Sequence, residues 1–132
     1  MLHILYIALG GSVGAVSRFL ISQLINRTSN DIFPWGTIAV NLLGSLLIGF
    51  FVEMFSRTVV PDNLRSVLII GFLGAFTTFS TYALESISLL RGNEIKLFIQ
   101  NILIHNVLGL VFVIFGIYLS RIVIKYIFQG ML

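Results

Sequence analysis

Gly71-Phe72-Leu73-Gly74-Ala75-Phe76-Thr77-Thr78-Phe79-Ser80-Thr81-Tyr82 lies inside a long apolar segment, yet it is a poor stretch of membrane helix. Glycine costs about 1 kcal/mol against alanine in a helix interior, and β-branched threonine adds smaller penalties. Irregular backbone at membrane depth survives only where protein buries it or where it lines a polar path. Broken helices of this kind mark ion sites, because unwinding frees carbonyls and exposes half-helix ends. The stretch is therefore read as an ion site. The bland alternative is a glycine-softened helix that packs closely on a neighbour.

The rest of the composition agrees with a membrane setting. The chain has 132 residues, 58% hydrophobic and 10% charged, with a mean hydropathy of +1.05. A soluble domain this small could not bury that much apolar surface, so one polytopic membrane domain spanning residues 1–132 is expected. With no cysteine, disulfides, thiolate metal sites and a cysteine nucleophile are excluded. The formal charge of +3 comes from basic residues scattered near segment ends, which suits anionic lipid and gives no support to nucleic-acid binding. Residues 2–9 lack the basic flank and cleavage site of a signal peptide and are kept in the first span.

Four spans follow from the hydropathy pattern, near residues 2–25, 35–55, 64–90 and 95–127. The first carries Gly10, Gly11, Gly14 and Ala15, a small-residue face that admits another helix, and Arg18 one turn on. Residues 26–33 read as a polar loop containing the short glycosylation match Asn26-Arg27-Thr28, and Pro34 fits the first turn of the next helix. Trp35 reads as an interfacial anchor, and Asn41, Gly44, Ser45 and Ile48 form a small-and-polar stripe. Pro61 separates the second and third spans, and Gly92-Asn93-Glu94 reads as a turn. The fourth span is longer than a bilayer needs and sets Asn101, His105 and Gly109 on one face.

An even number of spans puts both termini on one side. That side holds Arg57, Arg65, Arg121 and Lys125, and the other holds Arg27, Arg91 and Lys96, an almost even balance that gives no orientation. Insertion in both directions with head-to-tail pairing explains this as well as an orientation set by other means.

Few side chains offer chemistry. Arg18, a charge within a span, is functional by default, with snorkelling as the plainer reading. Glu53 and Glu85 read as interfacial or paired, and His105 as a hydrogen-bonded bundle histidine without metal-ligand company. The amide of Asn41 carries two donors that suit an anion. Phe79 and Tyr82 share a face, interleaved with the hydroxyls of Thr77, Thr78, Ser80 and Thr81. No nucleotide loop, triad, carboxylate pair or acidic metal cluster is visible, so an enzyme is not expected.

Three blocks then carry a resemblance: residues 10–19 (GGSVGAVSRF), residues 34–45 (PWGTIAVNLLGS) and residues 71–82. In order, spacing and placement they resemble the Fluc (CrcB) family of small fluoride channels. The resemblance implies an all-α integral membrane protein with four transmembrane helices. It further implies a third helix broken at mid-membrane and an antiparallel, dual-topology homodimer with two fluoride pores. It implies a structural sodium ion on the dimer axis, held by the backbone carbonyls of Gly74 and Thr77, and a multi-pass place in the cell membrane, the bacterial inner membrane. Matched by position, the pore would use Asn41, Phe79, Ser80, Thr81 and Tyr82, with Asn101 and His105 as a polar track on the fourth span. The sequence departs from the family pattern at Tyr82, where phenylalanine is common, at Ala75, where a second glycine is usual, and along the fourth-span track. Two other readings are a small dual-topology multidrug or cation antiporter, which would want a first-span carboxylate where this chain has Arg18, and a non-conducting bundle subunit.

Overall fold

The computed structural model describes residues 2–29 and 31–129, which form helices joined by short connections. In order these are α1 (Leu2–Ser29), α2 (Trp35–Arg57), α3 (Asp62–Arg65), π1 (Ser66–Leu73), α4 (Gly74–Phe76), α5 (Phe79–Arg91), α6 (Ile95–Leu103), π2 (Ile104–Leu108) and α7 (Gly109–Gln129). Among the described residues, four stretches are long and apolar enough to cross a membrane: His3–Ser29, Trp35–Arg57, Asp62–Arg91 and Ile95–Ile127. No more than 22% of the most apolar window of any of them is buried. The remaining apolar surface has to meet lipid or protein, so this is an all-helical, multi-pass membrane protein.

The first helix runs past the expected loop, and residues 26–29 belong to it. Polar side chains there hydrogen-bond the backbone. Thr28 and Ser29 donate their hydroxyls to the Ile25 carbonyl at 2.8 and 3.2 Å, and the Asn26 Oδ1 accepts from the Gly36 N–H at 2.9 Å. The glycosylation match therefore lies in a helix with its asparagine engaged. Pro34 sits one residue before α2, as its N-cap, and its carbonyl accepts from Ile38 at 3.1 Å. At residues 92–94 the expected turn forms with the left-handed residue at Asn93 (φ 61°), while Gly92 stays at φ −74°. Asparagine tolerates that region better than other non-glycine residues.

Two close helix contacts define the bundle. α1 lies against π1, where a Cβ on Gly10 would collide with the Val67 carbonyl and one on Gly14 with the Phe72 carbonyl. α2 lies against α7 through a reciprocal pair, Gly49 on the Val113 carbonyl and Gly116 on the Leu46 carbonyl. Between helices already surrounded by lipid-like chains, such contacts add dispersion where burial from water adds little. A small apolar cluster of Phe33, Ile38 and Leu89, flanked by Leu97 and Phe98, ties the 31–34 connection to the ends of α5 and α6.

The glycines are not equivalent. A Cβ on Gly11 would lie 3.8 Å from the Gly71 carbonyl and 4.0 Å from the Ala75 Cβ, which is ordinary contact. Gly11→Ala should leave the unfolding midpoint in detergent within about 0.5 kcal/mol of wild type. Gly14→Ala should lose about 1–3 kcal/mol through forced separation of α1 from π1. Equal effects in equilibrium unfolding would show that the α1–π1 approach is not close-packed.

Candidate functional site

The helical path of the third span is interrupted between α4 and α5. Thr77 (φ −86°, ψ 156°) and Thr78 (φ −147°, ψ 115°) take extended backbone, consistent with the weak helix preference of a glycine- and threonine-rich stretch. Such a turn releases backbone groups that a continuous helix would pair. One side chain from α2 deals with two of them. The Asn41 Nδ2 donates to the Thr78 carbonyl at 3.0 Å, and the Asn41 Oδ1 accepts from the Thr78 N–H at 2.8 Å. Thr78 is buried, and its Oγ1 caps α5 by accepting from the Thr81 N–H at 3.3 Å.

These two substitutions have a direct result. In an unbroken helix the Thr78 N–H would bond to the Gly74 carbonyl, and the Thr81 N–H to the Thr77 carbonyl. With both donors engaged elsewhere, the carbonyls of Gly74 and Thr77 lose those partners. The space by Gly74 is open, since a Cβ there would meet only the Ile69 carbonyl, at 3.9 Å. Thr77 itself is held by its N–H and its Oγ1, both donating to the Leu73 carbonyl at 3.1 and 3.0 Å, with its methyl seated on Gly44.

Two cavities flank the turn. One, of about 340 Å³, is lined by Asn41, Ser45, Thr77, Phe79, Tyr82 and His105, with Gly74, Asn106 and aliphatic neighbours completing it. The other, of about 610 Å³, is lined by Arg18, Ser22, Gln23, Arg27, Thr37 and Glu85, among others. Thr78 borders both. Phe79 is 78% exposed, its ring 5.5 Å from that of Tyr82 at an interplanar angle of 63°. The ring edge carries the positive end of the aromatic quadrupole, so this pair can turn positive edges toward an anion.

Polar groups continue away from the turn on both sides. Thr37 donates to the Glu85 Oε1 at 2.7 Å, while the Glu85 Oε2 is buried without a partner. Asn101, fully buried, donates to the Ser86 hydroxyl at 2.9 Å. The Asn101 carbonyl is 3.0 Å from the His105 Nδ1, and the His105 ring lies 4.3 Å from that of Tyr82. Asn106 donates to the Tyr82 hydroxyl at 3.1 Å. Far from the turn, the Glu53 Oε1 accepts from the Nε of both Arg57 and Arg121, at 2.6 and 2.7 Å, joining α2 to α7.

Residues 5–117 match the family described as CrcB-like protein, Camphor Resistance (CrcB). The chain belongs to the CrcB family. A fluoride-specific ion channel FluC of Hahella chejuensis is 45% identical to it over 123 residues, covering 92% of this chain and 97% of the relative. One from Bacteroides fragilis is 45% identical over 124 residues, with 92% and 98% covered, and one from Aquifex aeolicus is 43% identical over 116 residues, with 87% and 94% covered.

In this CrcB chain, Asn41, Phe79 and Tyr82 share one cavity, Arg18 lines the other with Thr81, and Ser80 is exposed beside the turn with its Oγ 3.4 Å from that of Thr78. The two fourth-span residues part company: His105 lines the smaller cavity, whereas Asn101 lines neither and spends its amide on Ser86. Glu53 is paired, as expected. Thr37, Ser86 and Asn106 were not foreseen. Thr37 and Ser86 could have been suspected as polar groups in apolar spans. Asn106 falls outside the i, i+4 set of the fourth span, yet it lines the cavity beside His105.

Asn41→Ala removes both partners of the Thr78 peptide groups at once. Leaving a buried N–H and C=O unpaired should cost about 2–4 kcal/mol. Hydrogen exchange at the Thr78 amide should accelerate at least tenfold, with the α1–π1 amides little changed. Unaltered exchange at Thr78 would show that another group holds the turn.

Proposed function

We propose that this chain is a fluoride-selective channel giving passive fluoride export. It would act as an antiparallel, dual-topology homodimer of multi-pass chains in the bacterial inner membrane. The observation that carries the reading is the 45% identity to a fluoride-specific ion channel across 92% of the chain. Supporting it is the turn, which sets one amide, several hydroxyls and two ring edges around a cavity in an apolar protein. Fluoride is small and strongly hydrated, so a pore must replace its water with donors. The second N–H of the Asn41 amide, the hydroxyls of Ser80 and Thr81, and the edges of Phe79 and Tyr82 are such groups. Fluoride enters cells as a neutral weak acid and ionises inside, so a passive exit lowers its internal level.

The exposed Phe79 ring fits a second copy as the missing wall of the path. The carbonyls of Gly74 and Thr77 suit a small hard cation, and two copies would together offer four such oxygens to a structural sodium ion. Its part would be to offset the repulsion of converging carbonyls at the dimer centre. Such a protein is a conductor and not an enzyme. The antiporter alternative is set aside: the first span holds Arg18 and no Asp or Glu, and the relatives are channels.

Purified protein in liposomes should release fluoride and retain chloride, with no proton gradient or nucleotide supplied. Phe79→Ile should abolish fluoride release while cross-linking still reports a dimer. Wild-type release from that variant would remove Phe79 from the path. Absence of fluoride release from well-folded wild-type protein would refute the channel reading.

A further inference from the structure

Glu53 stands one turn before the end of α2, and its Oε1 accepts from the Nε of both Arg57 and Arg121, at 2.6 and 2.7 Å. One oxygen that holds two donors keeps the two guanidinium groups side by side. Arginine carries its N–H donors in a flat fork. With Nε spent on Glu53, the two outer nitrogens of each fork remain, and among the described residues they make no hydrogen bond. The arginine side chains are 50% and 55% exposed and that of Glu53 is 15% exposed, so the carboxylate is the covered member of the three.

Exposed ion pairs of this kind add little stability. Two positive charges also share one negative charge, which leaves a positive charge uncompensated at the end of an apolar span. Adjacent guanidinium forks suit an oxyanion, and phosphate oxygens accept from such forks in pairs.

The face of α7 that carries Arg121 favours a lipid phosphate over a free one. Ile114, Tyr118, Arg121 and Lys125 follow at steps of four, three and four, so they share one stripe of the helix. Ile114, Tyr118 and Lys125 are exposed, as is about half of Arg121. The stripe is apolar toward the middle of the span Ile95–Ile127 and basic toward its end. A phospholipid has the same order, tails and then phosphate. We infer that Arg57 and Arg121, braced by Glu53, form a headgroup site for an anionic phospholipid whose tails lie along Ile114 and Tyr118. The uncompensated charge sets the class of lipid. Phosphatidylcholine brings its own cation beside the phosphate, whereas phosphatidylglycerol does not. The inference rests on the membrane placement of the helices and not on the channel reading.

Native mass spectrometry of the purified protein in detergent, titrated with dioleoyl phosphatidylglycerol or dioleoyl phosphatidylcholine, tests it. The wild type should retain the glycerol lipid about tenfold more tightly, and a large excess of inorganic phosphate should not displace it. Arg57→Gln combined with Arg121→Gln should erase the preference. Arg91→Gln combined with Lys96→Gln removes the same charge at the other end of the bundle and should keep it. Glu53→Ala makes the protein more positive but frees the two guanidinium groups, so retention should fall about threefold, where diffuse attraction would strengthen it. Equal retention of the two lipids by the wild type, or displacement by phosphate, would overturn the inference without any variant. So would an unchanged preference in the Arg57/Arg121 variant or tighter retention in Glu53→Ala. Loss of the dimer at unaltered lipid affinity in the Arg57/Arg121 variant would also overturn it, and would show that a second copy covers these arginines.

Discussion

The structure hangs on one amide. Apolar surroundings cannot solvate an interrupted backbone, so a turn within a membrane span persists only if protein supplies partners. Asn41 supplies both for Thr78, donating with Nδ2 and accepting with Oδ1. An amide carries a donor and an acceptor side by side in one uncharged group. A hydroxyl could not span the peptide in both directions, and a carboxylate would have no donor. The helix break and the Asn41 position on α2 are therefore a single feature divided between two spans.

The amide works only at fixed distance, and the glycine contacts provide that. Gly44 on α2 leaves room for the Thr77 methyl, which brings α2 close enough for Asn41 to reach Thr78. α1 is drawn onto π1 by Gly10 and Gly14, and α2 onto α7 by Gly49 and Gly116. With the backbones this close, small displacements have nowhere to go, and the polar groups at the turn inherit that rigidity. The ion pairs of Glu53 with Arg57 and Arg121, both arginines about half exposed, contribute little by comparison.

Much of this was legible in the residues. Apolar run lengths located the four spans among the described residues, and the glycine-and-hydroxyl stretch contains Thr77 and Thr78, whose backbone is extended. The clustering of Asn41, Phe79 and Tyr82 was likewise within reach. What escaped the sequence had physical causes. The first helix overran its expected end because Thr28 and Ser29 bond back to Ile25 and Asn26 finds Gly36, a tertiary partner that no local pattern reveals. Counting i, i+4 along the fourth span grouped Asn101 with His105, but π2 changes the winding between residues 104 and 108. Asn101 lies in α6, ahead of that change, and turns its side chain to Ser86, while Asn106 takes a place at Tyr82.

Thr78 borders both cavities, so the partition between them is a single residue thick there. That residue already has its N–H, its carbonyl and its hydroxyl committed to holding the turn. Fold and barrier are made of the same few atoms. A protein built this way has no spare part with which to adjust one and keep the other, and variation that tunes passage is pushed outward, to the side chains that stand around the turn.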